Sequence, residues 1–311
     1  MICTDIQDDY PSRIHDQPEI TPRLDPVIHG DLESRRAGPL GEDELGRYER
    51  DGFLIMPDFF SPAEVEIVLS KLELLKNDPR IRERPEAIIE PEGDELRSLF
   101  AVHRLDPFFD DIAADERFVD IASQLLGSEV YVHQSRINLK PGFAGKEFFW
   151  HSDFETWHTE DGMPRMRAVS FSLLLTPNYE FNGPLMLVPG SHKHYIASVG
   201  ETPEDHYRTS LKRQEHGVPD PETLSGFVEE GGITSCLGEA GTLVIFECNT
   251  LHGSNGNISP LPRSNLFMVY NSVENHVTEP FCGRPPRPDY IAHRGEIEPI
   301  RPRQTLRDLA R

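Results

Sequence analysis

The sequence predicts a mainly β protein with flanking helices, built on a double-sheet jelly-roll core. Three observations carry this reading. Helical patterning is concentrated before Gly127, short β patterns separated by Gly/Pro turns follow it, and the strand region holds a histidine–carboxylate pair that needs an open mouth for a metal and small ligands. At 311 residues and 37% hydrophobic, the chain can bury a large core and fits one big domain better than two small ones. The expected organisation is an extended N-terminal arm over residues 1–40 and a single domain over 41–311.

The arm is polar and rich in Pro and charge, which suits an extended or partly disordered segment wrapping the body. Its first residues, Met1 to Asp9, have neither a basic start nor an apolar run. No later segment approaches the roughly 18 apolar residues that span a bilayer, so a soluble, cytoplasmic protein is expected. Helical signals begin at Gly41-Glu42-Asp43-Glu44-Leu45. A clearer start follows, with Ser61 as N-cap, Pro62 at the first helical position and Glu64 completing a capping box. Val65, Val68, Leu69, Leu72 and Leu75 then recur at helical spacing and mark a buried stripe. Asn77 to Asp94, charged and holding three prolines, reads as a loop, and Phe108 to Leu126 reads as helix ending at Gly127.

Beyond Gly127 the period changes to two. Glu129 to Leu139 reads as one strand, with Tyr131, His133, Ser135 and Ile137 on one face and Val130, Val132, Gln134 and Arg136 on the other. Further strands are expected over Ala168 to Thr176, Pro184 to Pro189, Gly241 to Glu247 and Asn265 to Val273, with turns at Asn182-Gly183-Pro184 and Pro189-Gly190-Ser191. The polar stretch from Val199 to Ser235 is too long for a turn and reads as an insertion or lid.

Function is concentrated at Phe148-Phe149-Trp150-His151-Ser152-Asp153-Phe154-Glu155-Thr156-Trp157-His158, which holds both tryptophans of the chain. On an extended strand, His151 and Asp153 two positions apart would point to one face and converge. Two histidines and one carboxylate suit a non-heme Fe(II) oxygenase, and His252, 101 positions after His151, is the best third ligand. Three protein ligands leave open positions on such an iron. Eleven residues after His252, Arg263 starts a strand whose face it shares with Asn265 and Phe267, and its fork fits a dicarboxylate. Arg136, on an otherwise buried strand face, also calls for a local anion. Zinc is not excluded by these ligand types.

Other residues have plainer readings. Lys140 beside Pro141-Gly142 is by default a solvated turn residue, and Trp157, Phe246 and Phe267 are by default core. The pair Glu160-Asp161 reads as solvated, and His158, His192 and His194 as turn or supporting residues. The formal charge of −22, from 53 acidic and 31 basic residues, argues against a nucleic-acid-binding face. It would suit a salty cytoplasm, and an ordinary acidic surface explains it equally. Cys3, Cys236, Cys248 and Cys282 lack metal-ligand spacing and are too sparse for a disulfide scaffold, so reduced thiols that pack are expected.

The block from Phe148 to His158, continuing to Ala168, and the turn Pro184-Leu185-Met186-Leu187-Val188-Pro189-Gly190-Ser191-His192 also carry a resemblance. From about Gly52 to Glu298 the chain resembles the non-heme Fe(II)/2-oxoglutarate dioxygenases of the phytanoyl-CoA dioxygenase-like superfamily, and within them the branch that hydroxylates ectoine. That resemblance implies a double-stranded β-helix, a homodimer, and conversion of ectoine, 2-oxoglutarate and O2 to 5-hydroxyectoine, succinate and CO2. Carried over residue by residue, His151, Asp153 and His252 match the family's iron ligands. Arg263, Arg136, Lys140, Phe148 and Ser254 match its 2-oxoglutarate contacts, and Gln134, Thr156, Trp157, Ser172, Phe246 and Phe267 its ectoine site. Two alternatives remain open: a related dioxygenase acting on another small zwitterion such as a proline-like amino acid, and a cupin-like metal protein that is not an oxygenase.

Overall fold

Two antiparallel sheets face each other across an apolar layer, and helices cover the outer face of the larger one. The computed structural model describes residues 8–90, 93–211 and 217–310. In chain order its strands are β1 (Glu19–Pro22), β2 (Phe53–Met56), β3 (Ala87–Ile89), β4 (Leu96–Phe100), β5 (Val130–Lys140), β6 (Phe148–His151) and β7 (Ala168–Leu174). They continue as β8 (Met186–Leu187), β9 (His194–Ala197), β10 (Thr234–Ser235), β11 (Leu243–Glu247), β12 (His252–Ser254) and β13 (Arg263–Ser272). The helices are α1 (Leu32–Ala37), α2 (Glu42–Asp51), α3 (Pro62–Asn77), α4 (Pro79–Arg82), α5 (Val102–Leu105) and α6 (Pro107–Ala113). After them come α7 (Glu116–Leu126), α8 (Asp153–Asp161), α9 (Tyr207–Ser210), α10 (Pro221–Gly231) and α11 (Thr305–Leu309).

Seven strands form the large sheet in the order β2-β11-β7-β13-β5-β4-β3, and four form the small one in the order β10-β8-β12-β6. Period-two alternation assigns the faces. Val169, Phe171 and Leu173 of β7, with Leu266, Met268 and Tyr270 of β13, join Val65, Val68 and Leu72 of α3 and Phe118, Ile121 and Leu125 of α7 in the main core. The intervening positions Leu174, Val244, Phe246 and Phe267 face Leu185, Leu187 and Cys236, which belong to or flank the small sheet. Full burial of each such side chain contributes roughly 1.5–3 kcal/mol, so the two layers hold the sheets in register. The jelly roll expected from the strand pattern is the fold observed.

Helix α3 starts as the sequence predicts: the Ser61 hydroxyl accepts from the Glu64 amide and the Glu64 carboxylate accepts from the Ser61 amide. Elsewhere the elements differ. The expected helix over 108–126 is two helices, because Asp115 caps α7 and interrupts the run at Ala114. The expected loop from Asn77 to Asp94 contains α4 and β3, where Ala87 to Ile89 find an edge on β4; Pro91 of that loop lies outside the described residues.

The reading of β5 also needs correction. Val269 pairs with Gln134 and Tyr270 with Val132, so His133 is an extra, bulged residue. Val130 and Val132 face the main core, whereas beyond the bulge Ile137 and Leu139 do so. Gln134, Arg136 and Asn138 are thereby turned to the cavity described below.

Residues 8–40 lie along the body. β1 pairs antiparallel with β9, and the Tyr195 hydroxyl donates to the carbonyl of fully buried Tyr10. Residues 1–7, including Cys3, lie outside the described set, while Cys236, Cys248 and Cys282 are free thiols. The stretch from Val199 to Ser235 carries α9, α10 and β10, apart from residues 212–216, which are not described. Among the described residues, no helix is long and apolar enough to cross a membrane.

Candidate active site

His151 ends β6 and His252 begins β12, and antiparallel pairing places them directly opposite each other, ring centroids 4.2 Å apart. Asp153 is not on the strand, contrary to the spacing argument. Ser152 caps a helix by accepting from the Glu155 amide, and Asp153 is that helix's first residue. The signal was present in the Ser-x-x-Glu pattern of residues 152–155 and the Gly162 stop. Convergence therefore comes from a strand end meeting a helix start. The N-terminus of α8 also favours an anion at this position.

Asp153 Oδ1 lies 3.7 Å from His151 Nε2 and Oδ2 lies 3.8 Å from His252 Nε2. The three donor atoms lie within 4.8 Å of one another, close enough to share one ion. Each imidazole donates Nδ1–H to the carbonyl two residues earlier, His151 to Phe149 at 2.7 Å and His252 to Thr250 at 2.9 Å. The Nε2 lone pairs are thus left for the shared point, and His252 Nε2 is buried without a hydrogen-bond partner. Burial, with His252 nearby, pushes the His151 pKa down to about 3, and burial lowers that of His252. Both rings are neutral near pH 7, the form that binds metal. Burial alone would raise the Asp153 pKa, but His252 and Arg136 hold it below the usual carboxylate value. A neutral–neutral–anionic donor set of this kind fits a divalent iron.

The cavity over this triad is lined by eleven of the fourteen residues singled out from the sequence. Besides the triad these are Gln134, Arg136, Phe148, Thr156, Trp157, Ser254, Arg263 and Phe267. Arg263 is 2% exposed, and neither it nor Arg136 forms an ion pair with a carboxylate of any described residue. Burial, with Arg97 as neighbour, pushes the Arg263 pKa down to about 9. Such an arginine is a cation that lacks its anion. Arg136 sits over the Phe267 ring at 5.0 Å. Gln134 donates Nε2–H to the Ile291 carbonyl at 2.7 Å, leaving Oε1 buried and unpartnered. Trp157 packs edge-on against bulged His133 at 5.1 Å.

Three of the singled-out residues are not among those lining the cavity. Ser172 accepts from Asn265 at 3.4 Å, and Phe246 packs behind His252, centroids 5.0 Å apart. Lys140 is fully buried instead of solvated at a turn. Its ammonium donates to the Asn255 carbonyl and lies 5.2 Å from the Phe148 ring, and burial followed by Arg263 pushes its pKa down to about 6. Phe148 thus contacts both Lys140 and Arg97, the latter 3.8 Å from its ring.

The sequence reading missed several wall residues. Asn138 continues the face of Gln134 and Arg136, and period two would have found it. His206 and Leu211 come from the long insertion, and Arg287 from the C-terminal proline-rich stretch, where no local pattern signals them. The pair Glu160-Asp161 is buried, not solvated: Asp161 binds Arg287 through two hydrogen bonds, and Glu160 lies 2.6 Å from Arg13.

Residues 48–265 match the phytanoyl-CoA dioxygenase family. The ectoine dioxygenase of Bordetella bronchiseptica is 54% identical over 305 residues, covering 98% of each chain. The crystal structure of EctD from S. alaskensis with 2-oxoglutarate and 5-hydroxyectoine superposes with a TM-score of 0.87 at 44% identity, covering 96% of this chain and 98% of that one. The same protein with bound Fe gives a TM-score of 0.85 over the same shares. A buried 2-His-1-carboxylate triad opens here into a cavity that holds two arginines, and with this extent of similarity the chain belongs to the phytanoyl-CoA dioxygenase family.

Proposed function

We propose that this protein is an Fe(II)/2-oxoglutarate-dependent dioxygenase that hydroxylates ectoine to 5-hydroxyectoine, releasing succinate and CO2. One observation carries it: the triad His151, Asp153 and His252 opens into the cavity that also holds Arg263 and Arg136, neither ion-paired to a carboxylate among the described residues, and the aromatic rings of Trp157 and Phe267. The close similarity to the B. bronchiseptica ectoine dioxygenase and to EctD supports the choice of substrate.

His151, Asp153 and His252 would hold the iron, which when bound supplies O2 activation coupled to oxidative decarboxylation of the 2-oxo acid. One oxygen atom goes to succinate and the other to the substrate carbon. Arg263 binds the distal carboxylate of 2-oxoglutarate through its fork, with Arg136 and Ser254 as further polar contacts and Phe148 as an apolar wall. Lys140 acts through Phe148, against whose ring its side chain packs. Ectoine is a small ring with a cationic amidine and a carboxylate. The faces of Trp157 and Phe267 suit the amidine, and Gln134 Oε1 and Thr156 Oγ1 suit its N–H groups. Phe246 and Ser172 support this wall through Phe267 and Asn265. We read the protein as one domain with an N-terminal arm, working as a cytoplasmic homodimer in osmotic-stress protection with no nucleic-acid partner. What supports this is the family resemblance and the formal charge of −22.

The deciding experiment is anaerobic reconstitution with Fe(II), then addition of O2, 2-oxoglutarate and ectoine, with mass spectrometry of the products. One added oxygen on ectoine, matched by succinate, is expected. Succinate without ectoine oxidation would discard the substrate, and no succinate from an iron-loaded sample would discard the reaction.

A further inference from the structure

Helix α8 carries Asp153, Thr156 and Trp157 to the cavity, yet three of its other residues are buried acids: Glu155, Glu160 and Asp161. A buried carboxylate is tolerated only when paired. Each of these is met by a distant segment. Arg287, near the C-terminus, binds Asp161, and His206 of the long insertion lies 2.8 Å from Glu160. The widest contact comes from the N-terminal arm. Arg13 donates from Nε and Nη2 to the two oxygens of Glu155 at 2.9 and 2.7 Å, and from Nη1 to Glu160 at 2.6 Å. Ser12 Oγ adds a hydrogen bond to Glu155 at 2.6 Å. The Arg13 side chain is 1% exposed, and its backbone is held at φ 59°, in the left-handed region, with its amide donating to the Ser198 carbonyl at 2.8 Å.

The same guanidinium reaches a cavity residue. Arg13 Nη2 donates to Thr156 Oγ1 at 3.4 Å, while the Thr156 hydroxyl donates to Glu155 Oε2 at 3.3 Å. A hydroxyl has one proton and two lone pairs. With the proton on Glu155 and one lone pair toward Arg13, Thr156 offers the cavity an acceptor and no donor. Gly217 closes this cradle: a Cβ there would stand 2.7 Å from Glu155 Oε2 and 3.1 Å from Thr156 Oγ1, at φ +73°.

We propose that Arg13 is a positioning residue of the active site, clamping α8 through Glu155 and Glu160 so that Thr156 meets the substrate as a hydrogen-bond acceptor. The acceptor half rests on the reading of the cavity as an ectoine site, since the amidinium of ectoine presents N–H donors.

The test compares wild type, Arg13→Ala and Arg13→Lys as anaerobic, iron- and 2-oxoglutarate-loaded protein. Hydrogen exchange of the α8 amides is expected to rise at least about tenfold in Arg13→Ala, the size of just one of its three charge-assisted hydrogen bonds, with α3 unchanged and Arg13→Lys in between. In turnover, the KM for ectoine should rise about tenfold by the same arithmetic, with the KM for 2-oxoglutarate within about twofold and succinate exceeding 5-hydroxyectoine. Unchanged α8 exchange, or an equal rise in α3, would overturn the proposal. If Arg13→Ala does not fold, Ser12→Ala, which removes one bond to Glu155 and the acceptor of the Ser198 amide but leaves Arg13 in place, should give the same pattern at smaller amplitude, and its absence overturns the proposal too. Wild-type protein that makes no 5-hydroxyectoine would refute the ectoine reading and the acceptor assignment with it, while the exchange measurement, made without ectoine, still judges the clamp.

Discussion

The two triad imidazoles commit their Nδ1–H groups to carbonyls of their own chain segments, so each ring is aimed by the backbone two residues before it. That economy leaves little redundancy among the ligands. Replacement of His151, Asp153 or His252 by Ala is expected to abolish both bound iron and turnover, and a variant that keeps stoichiometric iron by elemental analysis would not be a ligand. Arg263 is a different case, because in the proposed reading it binds the cosubstrate and not the metal. Arg263→Ala should lose a bidentate charge-assisted contact of roughly 2–3 kcal/mol, raising the KM for 2-oxoglutarate about 30- to 150-fold with iron content intact. An unchanged cosubstrate requirement in steady-state kinetics would remove that role. Trp157→Ala should weaken use of ectoine without loss of iron; metal loss instead would make it a structural residue, which its packing against His133 also permits.

At the scale of elements, α8 is the piece on which the site depends, because all nine of its residues are buried. Its acids make the fold sensitive to acid. Burial alone would raise the pKa of Glu160, but His206, Arg287 and Arg13 outweigh it and hold the group at about 2, against an ordinary value of 4.5. A depressed carboxyl contributes stability that is fully present above 4.5 and is lost as pH falls toward 2. The size is about 3 kcal/mol for this shift. Chemical denaturation of wild type between those pH values should show a steep loss, and Glu160→Gln should flatten that slope while lowering stability at pH 7. Equal slopes would mean that other groups dominate. A smaller effect is expected at α3: Ser61→Ala removes an N-cap and should destabilise by about 1 kcal/mol, read as a shift in the denaturation midpoint.

For the molecule as a whole, a formal charge of −22 implies self-repulsion that salt screens. The melting temperature should therefore rise with NaCl over roughly the range where the Debye length falls from 30 to 3 Å, and a flat or falling profile in calorimetry would show that ion pairs such as Arg13–Glu160 outweigh the net charge. The fold class was legible from the chain because helix and strand periods are local: residues three to four apart share a helix face, residues two apart a strand face. The triad was legible because its residue types are rare together and sit in aromatic surroundings. Asp153, however, converges on His151 from a helix, which the alternation argument placed on a strand. The bulge at His133 left no mark on the sequence, since an extra residue is defined only by the strand opposite, yet it turns Gln134 and Arg136 into the cavity. Glu160 and Asp161 look like solvated acids for the same reason: their partners Arg13, His206 and Arg287 are scattered over the chain, and only folding brings those charges out of water to one helix. Local patterning thus sufficed for the fold class and for picking out the three triad residues that converge, while element boundaries, strand register and long-range charge pairing, which depend on residues far apart in sequence, set the shape and polarity of the pocket around them.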